Sequence, residues 1–259
     1  MSDELFFQEQ KTTMDFENLP HGDMPGDKIE INQNHIHKAE TIYPVLKPMI
    51  GAEKCVVCVC GGSGVGKSEI ASMLASMLIR DGIGTYIMSG DNYPHRIPMD
   101  NDAMREQIYK NGGREDLANY LGSPREIDFE LVSNILAQFK VGSQTIAMKR
   151  MGRTREELWF DDVDMSQVQV LILEWTHGNS DYIQGVDIPI LLNSTPEETL
   201  EHRRKRNRDS GVDSPFTTMV LELEQQQLIR QAHKAKIVVA KSGTLMTYED
   251  FCSLMGVAK

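Results

Sequence analysis

The sequence predicts an α/β fold, a mostly parallel sheet with helices on both faces. Apolar runs of strand length recur from Lys54 onward, and stretches with helical spacing separate most of them. The runs are apolar throughout rather than alternating with polar residues, as expected of strands covered on both faces. With 259 residues the chain is long enough to bury a sizeable core.

In chain order, residues 1 to about 38 come first: acidic, with proline and glycine between Pro20 and Gly26, and without sustained periodicity. They are expected to form an N-terminal arm, residues 1–40, ahead of one domain over 41–259. Lys54–Cys60 is the first strand. Its CVVCVC run puts Cys58 and Cys60 on one face and Cys55 on the other, as small buried thiols rather than a metal or redox site. The spacing over Glu69–Arg80 is helical, and Thr85–Ser89 reads as the second strand. Ser123-Pro124-Arg125-Glu126 has the hydroxyl, proline and glutamate of a helix start. Val168–Glu174 and Ile188–Leu192 are further strands, and Thr195-Pro196-Glu197-Glu198 repeats the helix-start pattern. Ser214-Pro215 opens another helix, Lys236–Ala240 reads as a strand, and Thr247 with Asp250 marks a last helix start.

Composition narrows the function. Lys and Arg total 27 against 38 Asp and Glu, a net charge of −11, and the first thirty residues hold eight acids against two lysines. Such a balance argues against nucleic acid or an anionic membrane as partner. No uninterrupted apolar run approaches the ~18 residues a membrane span needs. Met1–Gln10 lacks the basic flank and apolar stretch of a secretory signal, so a cytoplasmic location is expected. His35 and His37 have no nearby cysteine or clear partner set to make them metal ligands.

Gly61-Gly62-Ser63-Gly64-Val65-Gly66-Lys67-Ser68 matches G-x-x-x-x-G-K-[ST] in full, directly after an apolar strand and before a helical pattern. Glycines let the backbone N–H groups point inward around phosphates, and the helix N-terminus adds partial positive charge. Lys67 is placed to reach the β- and γ-phosphates and Ser68 to offer its oxygen to Mg²⁺. The predicted fold is thus that of a P-loop NTPase, with ATP and Mg²⁺ as expected cofactors.

Ligands of open α/β sheets collect at the carboxyl ends of the strands. Asp91 follows the second strand and Glu174 ends the Val168–Glu174 run. Near bound phosphates, one carboxylate can serve the metal while the other accepts the proton of an attacking hydroxyl. Asp91 is assigned as base and Glu174 to the metal; exchanged roles, a helix cap or a surface acid remain open. His202 through Asp209 carries five positive charges in an acidic chain. Arg203, Arg204, Arg206 and Arg208 can therefore form a mobile lid that closes over a triphosphate, with Arg204 and Arg208 assigned to the transferring group and Arg203 and Arg206 to the nucleotide; a solvated helix face or a weak polynucleotide patch remains open.

With these motifs in order, residues 50 to about 245 resemble the phosphoribulokinase and uridine kinase branch of P-loop kinases. That family has a phosphate loop, an aspartate-containing segment that supplies the base, a proline-led helix with Asp-Phe, an arginine-bearing hairpin, a strand ending in glutamate, and an arginine-rich lid. Here these are Asp91-Asn92-Tyr93, Ser123-Pro124 with Asp128-Phe129, Lys149 to Arg153, Leu173-Glu174 and Arg203 to Arg208. The family's Glu-Gly is Glu174-Trp175 here, and its Asp-x-Phe-Tyr is Asp91-Asn92-Tyr93-Pro94, which weakens the case for a nucleoside acceptor. Ser89-Gly90-Asp91-Asn92 also resembles the Asp-Gly-Asp-Asn of adenylylsulfate kinases.

A narrower resemblance is to the sucrose-phosphorylating kinase domains joined to α-galactosidase in gut bacteria. It rests on SGDNYPHRIP, MGRTREELWF, EWTHGNSD and the lid through Asp213-Ser214-Pro215-Phe216. It implies a sugar-like acceptor, for which Tyr93, Trp159, Phe160 and Trp175 could supply flat apolar faces. Arg150, Arg153, His177, Asn179 and Asp181 could supply hydrogen bonds to its hydroxyls. Core packing is the alternative for each aromatic. The expected activity is transfer of the γ-phosphoryl group of MgATP to such an acceptor. Uridine, cytidine or adenylylsulfate acceptors remain alternatives, as does an ATPase switch or binding module. Self-association into a homo-oligomer is left open.

Overall fold

The computed structural model describes residues 19–206 and 214–257. Its elements, in order, are α1 (Gln33–Leu46), β1 (Cys55–Gly61), α2 (Lys67–Arg80), β2 (Thr85–Ser89), α3 (Pro98–Tyr120), α4 (Phe129–Lys140), β3 (Thr145–Met151) and β4 (Leu158–Asp164). There follow β5 (Val170–Glu174), β6 (Ile188–Leu192), α5 (Pro196–Arg206), α6 (Pro215–Gln231), β7 (Ile237–Val239), β8 (Leu245–Met246) and α7 (Tyr248–Met255). The main sheet runs β2-β5-β1-β6-β7-β8, parallel except for β8 against β7. Strands β3 and β4 form a separate antiparallel hairpin.

The apolar runs became strands because alternate residues serve different cores. Cys55, Val57 and Val59 of β1 join Ile87, Ile172 and Ile190 against α1 and α2 on one face. On the other, Val56 and Leu171 pack with Val132, Leu136 and Phe139 of α4. Cys58 and Cys60 pack there with Leu228 of α6 and Phe251 of α7. Every residue of β1, β5 and β6 is buried, which is why no polar alternation was visible. Cys55, Cys58, Cys60 and Cys252 are all buried free thiols. Among the described residues, no helix is long and apolar enough to cross a membrane.

Three predicted helix starts hold. Thr195 Oγ1 accepts from Glu198 N (3.3 Å) while Glu198 Oε2 accepts from Thr195 N (2.9 Å). Ser214 Oγ accepts from Thr217 N (3.0 Å), and Thr247 Oγ1 from Asp250 N (3.1 Å). The fourth does not. Ser123–Glu126 is a turn, because the Ser123 hydroxyl bonds back to Tyr120 O (2.6 Å) and Glu126 points inward to Arg105 Nε (2.6 Å). Helix α4 starts later, capped by Asp128 Oδ1, which accepts from Leu131 N at 3.0 Å.

The stretch expected as an arm contains, over its described part, a strap and the beginning of α1. Helix α1 buries Ala39, Ile42 and Leu46 against α2. It lacks a clean apolar period because Pro44, His35 and Lys38 interrupt the pattern. Ahead of it, the strap packs beside β2, which ends the sheet. Leu19 reaches the core, the Ser72 hydroxyl donates to Pro20 O, and Ser89 N donates to Asp23 Oδ1 at 2.8 Å. Covering an open strand edge in this way removes a site of unwanted pairing.

Candidate active site

Register at the carboxyl end of the sheet assembles the site. Glu174, the last residue of β5, lies level with Val59 of β1 and Ser89 of β2. The phosphate loop leaves β1 at Gly61 and enters α2 at Lys67, so Glu174 stands beside its mouth. Both oxygens of Glu174 are engaged. Ser89 Oγ donates to Oε1 at 2.6 Å and Ser68 Oγ to Oε2 at 3.2 Å. Burial pushes this carboxyl up from 4.5 to about 7, with the nearby Asp91 carboxylate adding to the rise and Lys67, Ser89 and Ser68 opposing it.

Lys67 Nζ donates to Gly62 O at 3.2 Å, which folds the side chain back across the loop. Helix α5, which carries the first arginines of the segment expected as a lid, comes close to the same loop. A Cβ on Gly64, where φ is +77°, would fall 2.8 Å from Arg203 Cγ, so only glycine lets lid and loop approach this far. A cavity opens between Gly62 and Ser63 of the loop, Ser194 and Arg203 on the lid side, and Glu224 and Gln225 of α6. Arg203 also donates to Pro196 O at 2.8 Å, and Arg204 is exposed. The Arg206 side chain and all of Arg208 lie outside the described residues.

These groups suit a magnesium nucleotide. A hydroxyl and a buried carboxylate share one hydrogen bond, and burial, with a second carboxylate nearby adding to it, holds a proton on Glu174 near neutrality. A divalent cation relieves that crowding. Ser68 and Glu174 would hold it, with the loop backbone and Lys67 on the phosphates.

Asp91 sits in the short 3₁₀ turn Gly90–Asn92 that follows β2, with its carboxylate exposed. The turn is pressed against Trp175: a Cβ on Gly90 would fall 1.9 Å from Trp175 Cγ. Trp175 (1% exposed) and Tyr93 (0%) are buried in the α4-side core, where Phe129 tilts against Trp175 at 5.4 Å. They pack the wall of the site rather than present a face to a ligand. His177 packs edge-on to Trp175 at 5.7 Å. Burial pushes its imidazole below the ordinary value although Glu224 and Glu126 favour the charged form.

The hairpin residues divide. Trp159 and Phe160 project into solvent from β4, and Arg153 is exposed at the hairpin tip. Arg150 is turned inward: its Nη1 donates to Asp23 Oδ2 (2.8 Å), Nη2 to Tyr86 Oη (3.1 Å), and Nε lies 3.1 Å from Asp161 Oδ2. It is committed to the strap, not open to an acceptor. Asn179 donates to Gln231 O at 2.7 Å and Asp181 pairs with Lys234 at 2.6 Å, so both tie to the end of α6.

Sequence reasoning missed two groups. One is Arg105 with Glu126 (2.6 Å) and Glu224 (3.6 Å), to which Asn101 adds a bond from Nδ2 to Glu126 Oε1 at 3.0 Å. Burial opposes ionisation of Glu126, but Arg105 and His177 hold it below the ordinary range. Glu126 was visible only as an apparent cap, and Arg105 carried no signal. The other group is Asp23 with Ser89, Asn92 and Tyr86, whose partners lie more than sixty residues apart.

The adenylylsulphate kinase family profile matches residues 53–115, the stretch from just before β1 through most of α3. The bifunctional α-galactosidase/sucrose kinase AgaSK of Mediterraneibacter gnavus is 44% identical over 192 residues, which is 74% of this chain and 20% of that protein. The chain thus spans about a fifth of that relative. Phosphoribulokinase from Rhodobacter spheroides superposes with a TM-score of 0.56 at 15% identity, covering 73% of this chain and 71% of the other. A possible uridine kinase from Bacillus stearothermophilus gives 0.52 at 16% identity, covering 78% and 96%. The fold is that of a P-loop kinase-like domain, as the order of motifs led one to expect.

Proposed function

We propose that this P-loop kinase-like domain transfers the γ-phosphoryl group of MgATP to a hydroxyl of a small sugar-like acceptor, sucrose being the first candidate. The observation that carries the reading is the pair of carboxylates at the phosphate-loop mouth, Glu174 buried on Ser68 and Asp91 exposed beside it. Sugar as the acceptor is favoured by the 44% identity to a protein named as a sucrose kinase.

The chain's own residues have separable roles. The loop backbone and Lys67 hold the β- and γ-phosphates, and Ser68 with Glu174 would hold Mg²⁺, which would neutralise phosphate charge. Asp91 orients the acceptor hydroxyl and takes its proton as the acceptor oxygen bonds to the γ-phosphorus and the β–γ bridge breaks. Arg204 and Arg208 bring positive charge to the transferring group and Arg203 and Arg206 to the nucleotide, and together they exclude water. Arg153, Trp159, Phe160 and His177 are the remaining candidates for acceptor contacts from the predicted set that stand at the surface or in the site wall.

Adenylylsulfate is the second reading, favoured by the family profile over residues 53–115. That stretch holds the phosphate loop and the Asp91 turn, which serve any hydroxyl acceptor. An acceptor panel decides: ADP formation from MgATP with sucrose, other disaccharides, monosaccharides, uridine, cytidine, adenylylsulfate or no acceptor. A sugar-dependent burst is expected. Stimulation by a nucleoside or adenylylsulfate alone moves the chain to those acceptors, and slow turnover indifferent to all of them favours an ATPase switch. With the active acceptor, Asp91→Asn should keep nucleotide binding and lose about 10²–10⁴-fold in turnover; unchanged turnover removes Asp91 as base.

A further inference from the structure

The strap residue Asp23 stands outside the phosphate loop, the base turn and the lid, yet donors from β2, the turn that follows it and β3 converge on it. Its carboxylate is 8% exposed. Oδ1 accepts from Ser89 N (2.8 Å) and from Asn92 Nδ2 (3.0 Å). Oδ2 accepts from Tyr86 Oη (2.8 Å) and from Arg150 Nη1 (2.8 Å). Ser89 and Asn92 bracket Gly90-Asp91, so one side chain grips the base turn from both ends. The grip extends further on either side. The Ser89 hydroxyl holds Glu174 Oε1, and Asn92 Oδ1 accepts from Met151 N (3.0 Å) at the end of hairpin strand β3. The neighbouring Gly22 lies against Glu174, where even a Cβ would sit 3.6 Å from Oε1.

We propose that Asp23 is a positioning residue of the active site, a clamp that fixes the Gly90–Asn92 turn and with it the place of Asp91 relative to Glu174. The proposal rests on the reading of Asp91 as base. Covering the edge of β2 would need only the bond to Ser89 N, and the bonds to Asn92 and Arg150 go beyond it. The chemistry requires a carboxylate. All four partners are donors, and an amide in its place would turn N–H groups toward one pair of them. Arg150 is the counter-charge that makes the buried carboxylate tenable, which explains why it faces the strap and not an acceptor.

The test compares the full chain with Asp23→Asn and with a double variant, Asp23→Ala with Arg150→Gln, which removes the clamp without stranding a buried charge. Three quantities are read: kcat and KM for MgATP with the active acceptor, hydrogen exchange over residues 86–93, and Tm. Both variants should lose about 100-fold in kcat while KM for MgATP stays within about twofold. Exchange at Ser89–Asn92 should rise about tenfold or more, and Asp23→Glu should recover part of kcat. Retained kcat in the folded double variant, or a loss of kcat with unchanged protection of Ser89–Asn92, overturns the proposal. If the wild-type chain phosphorylates no acceptor, the kinase reading fails separately, and the exchange comparison still decides the clamp.

Discussion

Glu174 is the residue whose surroundings say most about the site. It is buried, bonded to two serine hydroxyls, and close enough to Asp91 for their charges to oppose each other. Its folded value of about 7 exceeds the ordinary 4.5, so folding favours the protonated form. The sign follows from linkage: below about pH 4.5 the group costs nothing, and stability is lost as pH rises toward 7, where the unfolded chain has released the proton that the folded carboxyl still keeps. The nucleotide-free protein should therefore lose on the order of 1–3 kcal/mol between pH 4.5 and 7 through this group. Urea unfolding at several pH values, for the wild type and for Glu174→Gln, isolates the contribution. The variant should lack that part of the slope, and identical slopes would mean that burial and Asp91 do not raise the Glu174 carboxyl.

At the scale of elements, the base turn shows how packing fixes a short functional segment. Gly90 has no space for a methyl group because the Trp175 ring occupies it, and Trp175 is wedged in turn against Phe129 at the start of α4. Gly90→Ala must displace the ring or the turn. The expected cost is about 1–3 kcal/mol, seen as a drop in Tm of about 2–10 °C, with turnover falling because Asp91 moves with the turn. A variant with unaltered Tm and turnover would show that the turn is free to shift. Elements of this kind differ in how they can be read from sequence. Strands β2 and β6 run over the residues predicted, because each is a short local run whose ends are set by its neighbours, glycines for β2 and Asp187 and Asn193 for β6. Ser123–Glu126 misled because a cap motif is local, whereas Glu126 is claimed by Arg105, twenty-one residues earlier and on another helix. Helix α1 was hidden for a related reason: its buried side includes His35 and Lys38, so its contact with α2 does not show as an apolar period.

The whole molecule draws its site from five separated segments: the strap, the phosphate loop, the base turn, the end of β5 and the lid. The loop and the two carboxylates beside it were legible because each needs only a few neighbouring residues of a given chemistry, whereas the basic segment expected as a lid lies partly outside the described residues. The strap was not, because Asp23 and Arg150 meet across 127 positions and nothing in either local pattern requires the other. Aromatic residues were legible as types but not as placements: Tyr93 and Trp175 turned into the core while Trp159 stayed outside. Because the site exists only when all five segments are in place, a nucleotide that binds it must stabilise the whole fold. At about 100 times its Kd, MgATP should add about 2.7 kcal/mol, a rise in Tm of about 5–10 °C for a chain of this size. Lys67→Ala should remove most of that rise, since the loop then loses its charge on the phosphates. ATP with a chelator should raise Tm less than MgATP, because Ser68 and the crowded Glu174 are satisfied by the cation rather than by the nucleotide alone. Equal shifts with and without Mg²⁺ would separate these two residues from the metal while leaving the phosphate loop as the nucleotide site.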